Sequence, residues 1–246
     1  MAPIAVDGLG VDDVTIDGDV VDEITMDGDV VYQAVAIPDS VENHLDTWYS
    51  IDEGSGTSLA DSFNELPATL QEGDWVSDEQ YWGDYGVNTS PDYYLSDSTI
   101  EDLSTFSLCA WVVPQQSGDE TPLFGLSEGS PPEGRSIGFN VVMDGGNFWS
   151  LSTTPSNTTS GSNRISYIQD ELYFVAASST GNDSALHVWD IDTKVETTTD
   201  SPNDPDFSDS RFNGGDGDAI IAASGLNLGT ELSESDFEEI WEDTRP

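Results

Sequence analysis

Basic residues are scarce in this sequence. Five Lys and Arg residues stand against 49 Asp and Glu, so the formal charge at pH 7 is −44 over 246 residues. A compact domain with this charge repels itself in dilute buffer, whereas 1 M salt shortens the screening length to about 3 Å. The composition therefore predicts adaptation to very high salt, and the alternative is a specialised acidic protein from low salt. It also predicts no nucleic-acid partner, because no basic patch is present to neutralise phosphates.

Cysteine and long apolar runs are scarce as well. A single Cys109 excludes an intramolecular disulfide and a cysteine-based zinc site, and its apolar neighbours predict a buried thiol. No stretch approaches the roughly 18 apolar residues of a membrane span. The N-terminal residues show neither the basic nor the apolar segment of a secretory signal. We therefore expect no membrane insertion and assembly in the cytoplasm.

A ten-residue repeat is present near the N-terminus. Residues 11–20 read VDDVTIDGDV and residues 21–30 read VDEITMDGDV, and each copy predicts one strand followed by an Asp-Gly turn. Loops with an odd number of residues keep the even-numbered apolar positions on one face, whereas two-residue turns do not. We therefore expect three-residue loops in a small meander whose apolar face comprises Val14, Ile16, Val20, Ile24, Met26, Val30 and Tyr32.

Two interpretations of this repeat region are open. A sheet of this size is only marginally stable alone, so it needs a surface to pack against. It is either an extra sheet on the main domain or an assembly module, and we favour the assembly module. The repeated pattern resembles N-terminal segments of haloarchaeal virus structural proteins. We accordingly divide the chain into an anchoring region (1–37), a linker (38–43) and a main domain (44–246).

Strand-like runs separated by turn residues fill most of the main domain, and only its end has a helical pattern. Hydrophobic residues make up 36% and aromatic residues 10% of the chain, which argues against an acidic disordered protein. The strand spacing predicts an all-β sandwich or jelly roll with a short C-terminal helix.

Several segments, taken in order, resemble the laminin-G-like domains of the concanavalin A-like lectin/glucanase superfamily. They are WYSIDEGSGT (48–57), LSTFSLCAWVVP (103–114), LYFVAA (172–177), LHVW (186–189) and ELSESDFEEIW (231–241). The resemblance extends over about residues 44–244 and implies a concanavalin A-like jelly-roll β-sandwich. The segment at 217–226 departs from the family pattern, because it lacks the usual paired aspartates.

Many members of that superfamily hold a calcium ion. The resemblance implies Asp61 and Asp218 as candidate ligands of a structural calcium. A calcium ion needs six to eight converging oxygens. Because acidic loops occur throughout this chain, the absence of any specific metal is the competing interpretation.

Tyr81, Trp82 and Tyr85 are candidate carbohydrate-binding residues. They lie in a turn-rich segment with Asp78, Glu79 and Asp84, so aromatic faces for sugar stacking accompany hydrogen-bond acceptors. The alternative interpretation is an aromatic plug within the core.

One sequence motif has the spacing of a known catalytic motif. Glu234, Asp236 and Glu238 have the spacing of a glucanase motif, which requires convergent carboxylates on a strand. Here Ser233 and Ser235 are N-cap candidates, and Ser235 with Glu238 predicts a capping box. On a helix, positions 234 and 236 point about 160° apart. We therefore predict a protein that is not an enzyme, with a divergent glucanase as the least favoured alternative.

Together these features predict a structural surface protein of a haloarchaeal virus particle, such as a capsid turret, spike or tail decoration. The repeat region would anchor it, and the lectin-like domain would serve host attachment or particle stability. Expected partners are further copies of the chain, other virion proteins such as a capsid protein, and host surface glycans. The expected location is the virion surface, after assembly in the cytoplasm of a halophilic host. The alternative is a cellular halophilic carbohydrate-binding or adhesion module.

Overall fold

The structure is a computed structural model. It describes residues 15–16, 19–20, 23–26, 29–33, 37–63, 65–71, 74–81, 84–89, 93–100, 104–115, 121–128, 138–144, 147–152, 164–180, 183–200, 210–215 and 218–246.

Strands dominate the described residues, and two helices flank the main domain. In chain order the elements are β1 (Thr15–Ile16), β2 (Asp19–Val20), β3 (Glu23–Met26), β4 (Asp29–Gln33), α1 (Asp39–His44), β5 (Thr47–Tyr49), β6 (Ser58–Leu59), β7 (Ala68–Leu70), β8 (Trp75–Ser77), β9 (Tyr85–Asn88), β10 (Tyr93–Ser96), β11 (Phe106–Pro114), β12 (Thr121–Glu128), β13 (Gly138–Asp144), β14 (Phe148–Ser152), β15 (Ile165–Ser166), β16 (Tyr173–Ser179), β17 (Ser184–Asp190), β18 (Lys194–Asp200), β19 (Ser210–Gly215), β20 (Ala219–Leu228) and α2 (Glu234–Thr244).

The main domain contains two eight-stranded antiparallel sheets. Sheet I has the order β18-β17-β16-β11-β20-β9-β8, and β5 also pairs with β20. Sheet II has the order β15-β14-β13-β12-β19-β10-β7-β6. The predicted all-β sandwich with a short C-terminal helix is confirmed.

Strand β11 shows why the sandwich has two apolar layers. All nine of its residues are buried, as expected for a continuous apolar run covered on both faces. Because alternate side chains point to opposite faces, Leu108 and Val112 join the core between the sheets. Cys109 and Trp111 join a second cluster on the outer side of sheet I. Cys109 is fully buried, as predicted, and burial raises the pKa of its thiol.

Helix α2 covers the second cluster. Its apolar face presents Phe237, Ile240 and Trp241 to the outer side of sheet I. Trp241 Nε1 donates to the carbonyl of Asp190 at 2.9 Å, and this bond ties the helix to β17. The helix is capped by Ser233, which forms a capping box with Asp236. The predicted capping box of Ser235 with Glu238 is therefore wrong by two residues.

The repeat region forms two separate two-stranded sheets, β1–β2 and β3–β4. Ile16 pairs with Asp19 and Met26 pairs with Asp29, so each hairpin connection has two residues. The predicted three-residue loops are wrong. The two-residue loop of the first hairpin does not preserve the parity that one apolar face requires, whereas the second hairpin pairs Ile24 with the even-numbered Tyr32. Val14 lies outside the described residues, and the assembly role of the repeat region stays a prediction.

A register shift between Ile24 and Thr25 marks a bulge in the second hairpin.

No helix in the described part of the chain is long and apolar enough to cross a membrane.

Candidate functional site

Asp61 organises the loop between β6 and β7. Its side chain is buried, and its two carboxylate oxygens accept four backbone hydrogen bonds. Oδ1 accepts from the amides of Trp48 (3.0 Å) and Phe63 (3.2 Å). Oδ2 accepts from those of Glu65 and Leu66, both at 2.8 Å. These bonds hold the loop from residue 61 to residue 66 against β5.

The two candidate calcium ligands do not form one site. Asp61 binds the amide of Trp48, which pairs with Gly225 in β20, whereas Asp218 directly precedes the first residue of that strand. Position 225 lies seven residues beyond position 218 along the chain. At 3.3 Å per residue of strand, the two positions are roughly 23 Å apart. Within the described ranges, no group of three or more acidic, His or Cys side chains is placed to hold a metal ion.

A cleft of about 740 Å³ opens where the space between the sheets reaches the surface beside α1. We call it the rim cleft. Its lining combines carboxylates, hydroxyls and apolar side chains: Glu42, Asp46 and Glu65; Thr47, Ser98 and Thr99; Leu45, Phe63, Leu66, Ile100 and Leu228.

Four segments that are distant in sequence build the rim cleft, and backbone hydrogen bonds fix them together. The Asp46 amide donates to the Leu226 carbonyl at 2.9 Å, and Asp46 Oδ2 accepts from the Leu228 amide at 2.6 Å. The carboxylate of Asp61 positions three lining residues, because it accepts the amides of Phe63, Glu65 and Leu66. Asp61 is therefore not a lining residue of the rim cleft, but it holds lining residues in place.

The inner wall of the rim cleft contains a hydroxyl without a partner. Thr47 is fully buried, and its Oγ1 makes no hydrogen bond to any described residue. Thr47 lies two residues from Tyr49, whose side chain belongs to the core between the sheets. Since alternate residues of a strand share a face, the Thr47 side chain lies on that inner side.

A second, smaller cleft of about 290 Å³ lies at the β8–β9 hairpin. Its lining comprises Ser77, Asp78, Glu79, Asp84 and Tyr85. The three acidic residues named in the sequence are therefore brought together around one tyrosine.

The predicted aromatic trio is only partly assembled there. Tyr81 is 7% exposed and packs in the cluster beneath α2. Burial, with a smaller effect of Asp78, raises the pKa of Tyr81 to about 12. Trp82 lies outside the described residues. Of the two described members of the trio, Tyr85 lines the cleft, and its ring lies so close to Gly54 that a Cβ at Gly54 would approach within 2.7 Å.

The three carboxylates with glucanase-like spacing belong to helix α2, as predicted, and Glu234 forms an ion pair with Lys194 and accepts from the Thr197 hydroxyl at 3.1 Å. The hydrogen bond from Lys194 is the main cause that holds the Glu234 pKa below its usual value. His187 lies beside this pair and is 5% exposed. Burial lowers its pKa to about 4, against the opposing effect of Glu234.

Comparison with known proteins shows the fold. No family model and no curated protein matches the chain. Domain 4 of AbnA, a GH43 extracellular arabinanase from Geobacillus stearothermophilus solved in complex with arabinotriose, matches with a TM-score of 0.57 at 15% identity. The match covers 80% of this chain and 98% of that domain. A Trypanosoma rangeli sialidase in complex with sialic acid matches with a TM-score of 0.54 at 13% identity, over 85% of this chain and 34% of the sialidase.

A mutant of HCR/D matches similarly, with a TM-score of 0.56 at 14% identity over 83% of this chain and 53% of that one. The chain therefore spans about a third of the sialidase and half of HCR/D, and nearly all of the arabinanase domain. These likenesses show the fold alone: the chain is a β-sandwich, shared with the arabinanase domain and with parts of the two larger chains.

The comparisons also correct one prediction. We expected a protein that is not an enzyme, but the structures that share the fold include an arabinanase domain and a sialidase. The exclusion of enzymatic activity is therefore contradicted.

Proposed function

We propose that this chain is a carbohydrate-recognition β-sandwich and that the rim cleft holds a short oligosaccharide. The observation that carries the proposal is the composition of that cleft. Its volume of about 740 Å³ lies in the range of roughly 300–1,000 Å³ that is usual for small-molecule sites. Phe63 offers an apolar surface, and Asp46, Glu65 and Thr99 offer oxygen atoms.

This combination suits the two sides of a sugar ring. The C–H face of a pyranose or furanose packs on an aromatic or aliphatic side chain, while its hydroxyls donate to carboxylates and exchange hydrogen bonds with hydroxyls. Support comes from the arabinanase domain of the same fold, which was solved with arabinotriose and is matched over 98% of its length. The resemblance to laminin-G-like domains of the concanavalin A-like superfamily points in the same direction.

The wider setting that we propose is the surface of a haloarchaeal virus particle. The repeat region would anchor the chain to other virion proteins and to further copies of itself, and the sandwich would face outward toward host glycans. The charge of −44 supports a salt-rich environment, since a carboxylate surface stays soluble there. A cellular adhesion or carbohydrate-binding module is the second candidate, favoured by the same composition.

Glycan binding is tested by calorimetry in multimolar KCl with arabinotriose and a panel of other oligosaccharides. We expect binding to the wild type and a loss of about tenfold or more in Phe63→Ala. The control is Ile168→Ala, which removes a residue that is 60% exposed and does not line the rim cleft. Chromatography of each oligosaccharide after incubation tests for hydrolysis. A folded protein that binds no member of the panel contradicts the proposal.

The virion setting has its own test. Particles from a halophilic host culture are fractionated, and the chain is expected to sediment with them. Removal of residues 1–37 should release the chain from the particles. A truncated chain that still incorporates would contradict the anchoring role, and a chain that never sediments with particles would favour the cellular module.

A further inference from the structure

We infer that the rim cleft selects uncharged oligosaccharides over anionic sugars and that the Thr47 hydroxyl is a specificity-determining contact. This inference rests on the proposed function and names the ligand class of the same site. Two observations support it: the charges in the lining, and the buried Thr47 hydroxyl of that lining, which makes no hydrogen bond to a described residue.

The charged residues that line the rim cleft are all acidic. Glu42 comes from α1, Asp46 from the segment before β5 and Glu65 from the β6–β7 loop. No Lys, Arg or His lines the cleft among the described residues. His44 belongs to α1 as well, but its Nε2 lies 3.1 Å from Glu239 of α2. An anionic ligand would therefore meet like charges without a cation to compensate them.

Thr47 supplies the second, independent observation. A buried hydroxyl without a hydrogen bond costs free energy, so native structures nearly always provide a partner. A threonine hydroxyl both donates and accepts, as a sugar hydroxyl does, so the two groups satisfy each other in either direction. An ionised carboxylate or phosphate on the ligand could accept a hydrogen bond from the Thr47 hydroxyl but could not donate one to it.

Access to Thr47 involves the neighbouring strand. Thr47 pairs with Leu226, and Leu228 follows two residues later on the same face of β20. Leu228 lines the cleft and is 37% exposed, although it is a large apolar residue. A sugar that displaces the Leu228 side chain reaches the Thr47 hydroxyl and covers that apolar surface at the same time.

The two sugars in the matched structures supply a direct comparison. Arabinotriose is uncharged, whereas sialic acid carries a carboxylate. We expect this chain to prefer the uncharged sugar, because the carboxylates that line its rim cleft repel an anionic ligand.

The test is an array of neutral and anionic sugars that includes arabinotriose, sialic acid and size-matched neutral and anionic oligosaccharides, followed by calorimetry at two KCl concentrations. Neutral sugars should bind at least about tenfold more tightly than their anionic counterparts. The difference should widen at the lower salt concentration, where screening is weaker. Glu65→Gln should narrow the difference, whereas Glu238→Gln, an exposed residue of α2, should leave it unchanged.

The Thr47→Val variant distinguishes an effect on ligand affinity from an effect on the stability of the fold. The substitution keeps the shape and removes an unpartnered hydroxyl, so thermal stability should be equal or higher. Affinity for the best neutral sugar should nevertheless fall about fivefold or more. Unchanged affinity in Thr47→Val, or anionic sugars that bind as tightly as neutral ones, would overturn this inference and leave glycan recognition standing. An array without any binding would overturn both.

Discussion

Replacement of Asp61 by Asn removes acceptor capacity from the loop that carries Phe63 and Glu65. The wild-type carboxylate accepts four backbone amides in two pairs, one pair on each oxygen. Asparagine keeps one carbonyl oxygen, and its NH₂ group is only a donor. Whichever way the amide turns, two backbone N–H groups lose their acceptor and face another donor.

The magnitude follows from burial. Asp61 is 3% exposed, so solvent does not replace the lost acceptor. An unsatisfied buried donor costs about 1–3 kcal/mol, so two of them cost roughly 2–6 kcal/mol. A domain is typically stable by only about 5–15 kcal/mol, and the variant should therefore lose a large part of its stability. Sugar affinity should fall as well, because the same bonds position lining residues of the rim cleft.

The measurement is urea unfolding at constant multimolar KCl, followed by tryptophan fluorescence. Asp192→Asn is the matched control, because it makes the same chemical change at an exposed turn residue and should alter stability by no more than about 0.5 kcal/mol. A loss in Asp61→Asn no larger than in this control would refute the reasoning that the amide bonds of Asp61 hold the loop.

Four further predictions concern stability. Burial lowers the pKa of His187 from 6.5 to about 4, so the unfolded chain binds this proton more tightly. The resulting stability, roughly 3 kcal/mol, is present above pH 6.5 and is lost as the pH falls through 4. His187→Phe should remove this part of the pH dependence in urea titrations, and an unchanged profile would contradict it. Gly225→Ala should cost about 1–3 kcal/mol, because its Cβ would lie 2.8 Å from Trp48 Cε3; wild-type stability would show that the contact relaxes freely. Ser233→Ala should cost about 1 kcal/mol through loss of the α2 cap, measured by thermal unfolding, and no loss would argue against that cap. Dilution of KCl below about 1 M should lower the unfolding temperature as screening weakens, and an unchanged temperature would mean that the acidic surface is not a salt adaptation.

Local patterns predicted much of the main domain. The apolar run around Cys109 predicts a buried thiol, and all nine residues of β11 are buried. The apolar spacing of Phe237, Ile240 and Trp241 predicts a helix with one buried face, and α2 has it. These predictions succeed because the signals lie within one element, where periodicity of side chains and burial are directly coupled.

The candidate site was less accessible to such reasoning. The family resemblance implies Asp61 as a calcium ligand, yet its carboxylate accepts hydrogen bonds from backbone amides of its own loop and of β5. The aromatic pattern predicts one site for Tyr81 and Tyr85, but a turn places Tyr81 in the core and Tyr85 at a cleft. The role of each residue depends on neighbours that are distant in the chain.

The sequence by itself determined the class of fold, the buried cysteine and the C-terminal helix, and adaptation to high salt stays a prediction. These follow from composition and from periodicities of two and 3.6 residues. Only the tertiary structure decided the rim cleft, since its walls come from residues 42, 45–47, 63, 65–66, 98–100 and 228. The pairing of β5 with β20 and the hydrogen bonds of Asp61 bring these segments together. Contacts between segments so far apart leave no periodic signal in the chain, because they depend on how the sheets pack.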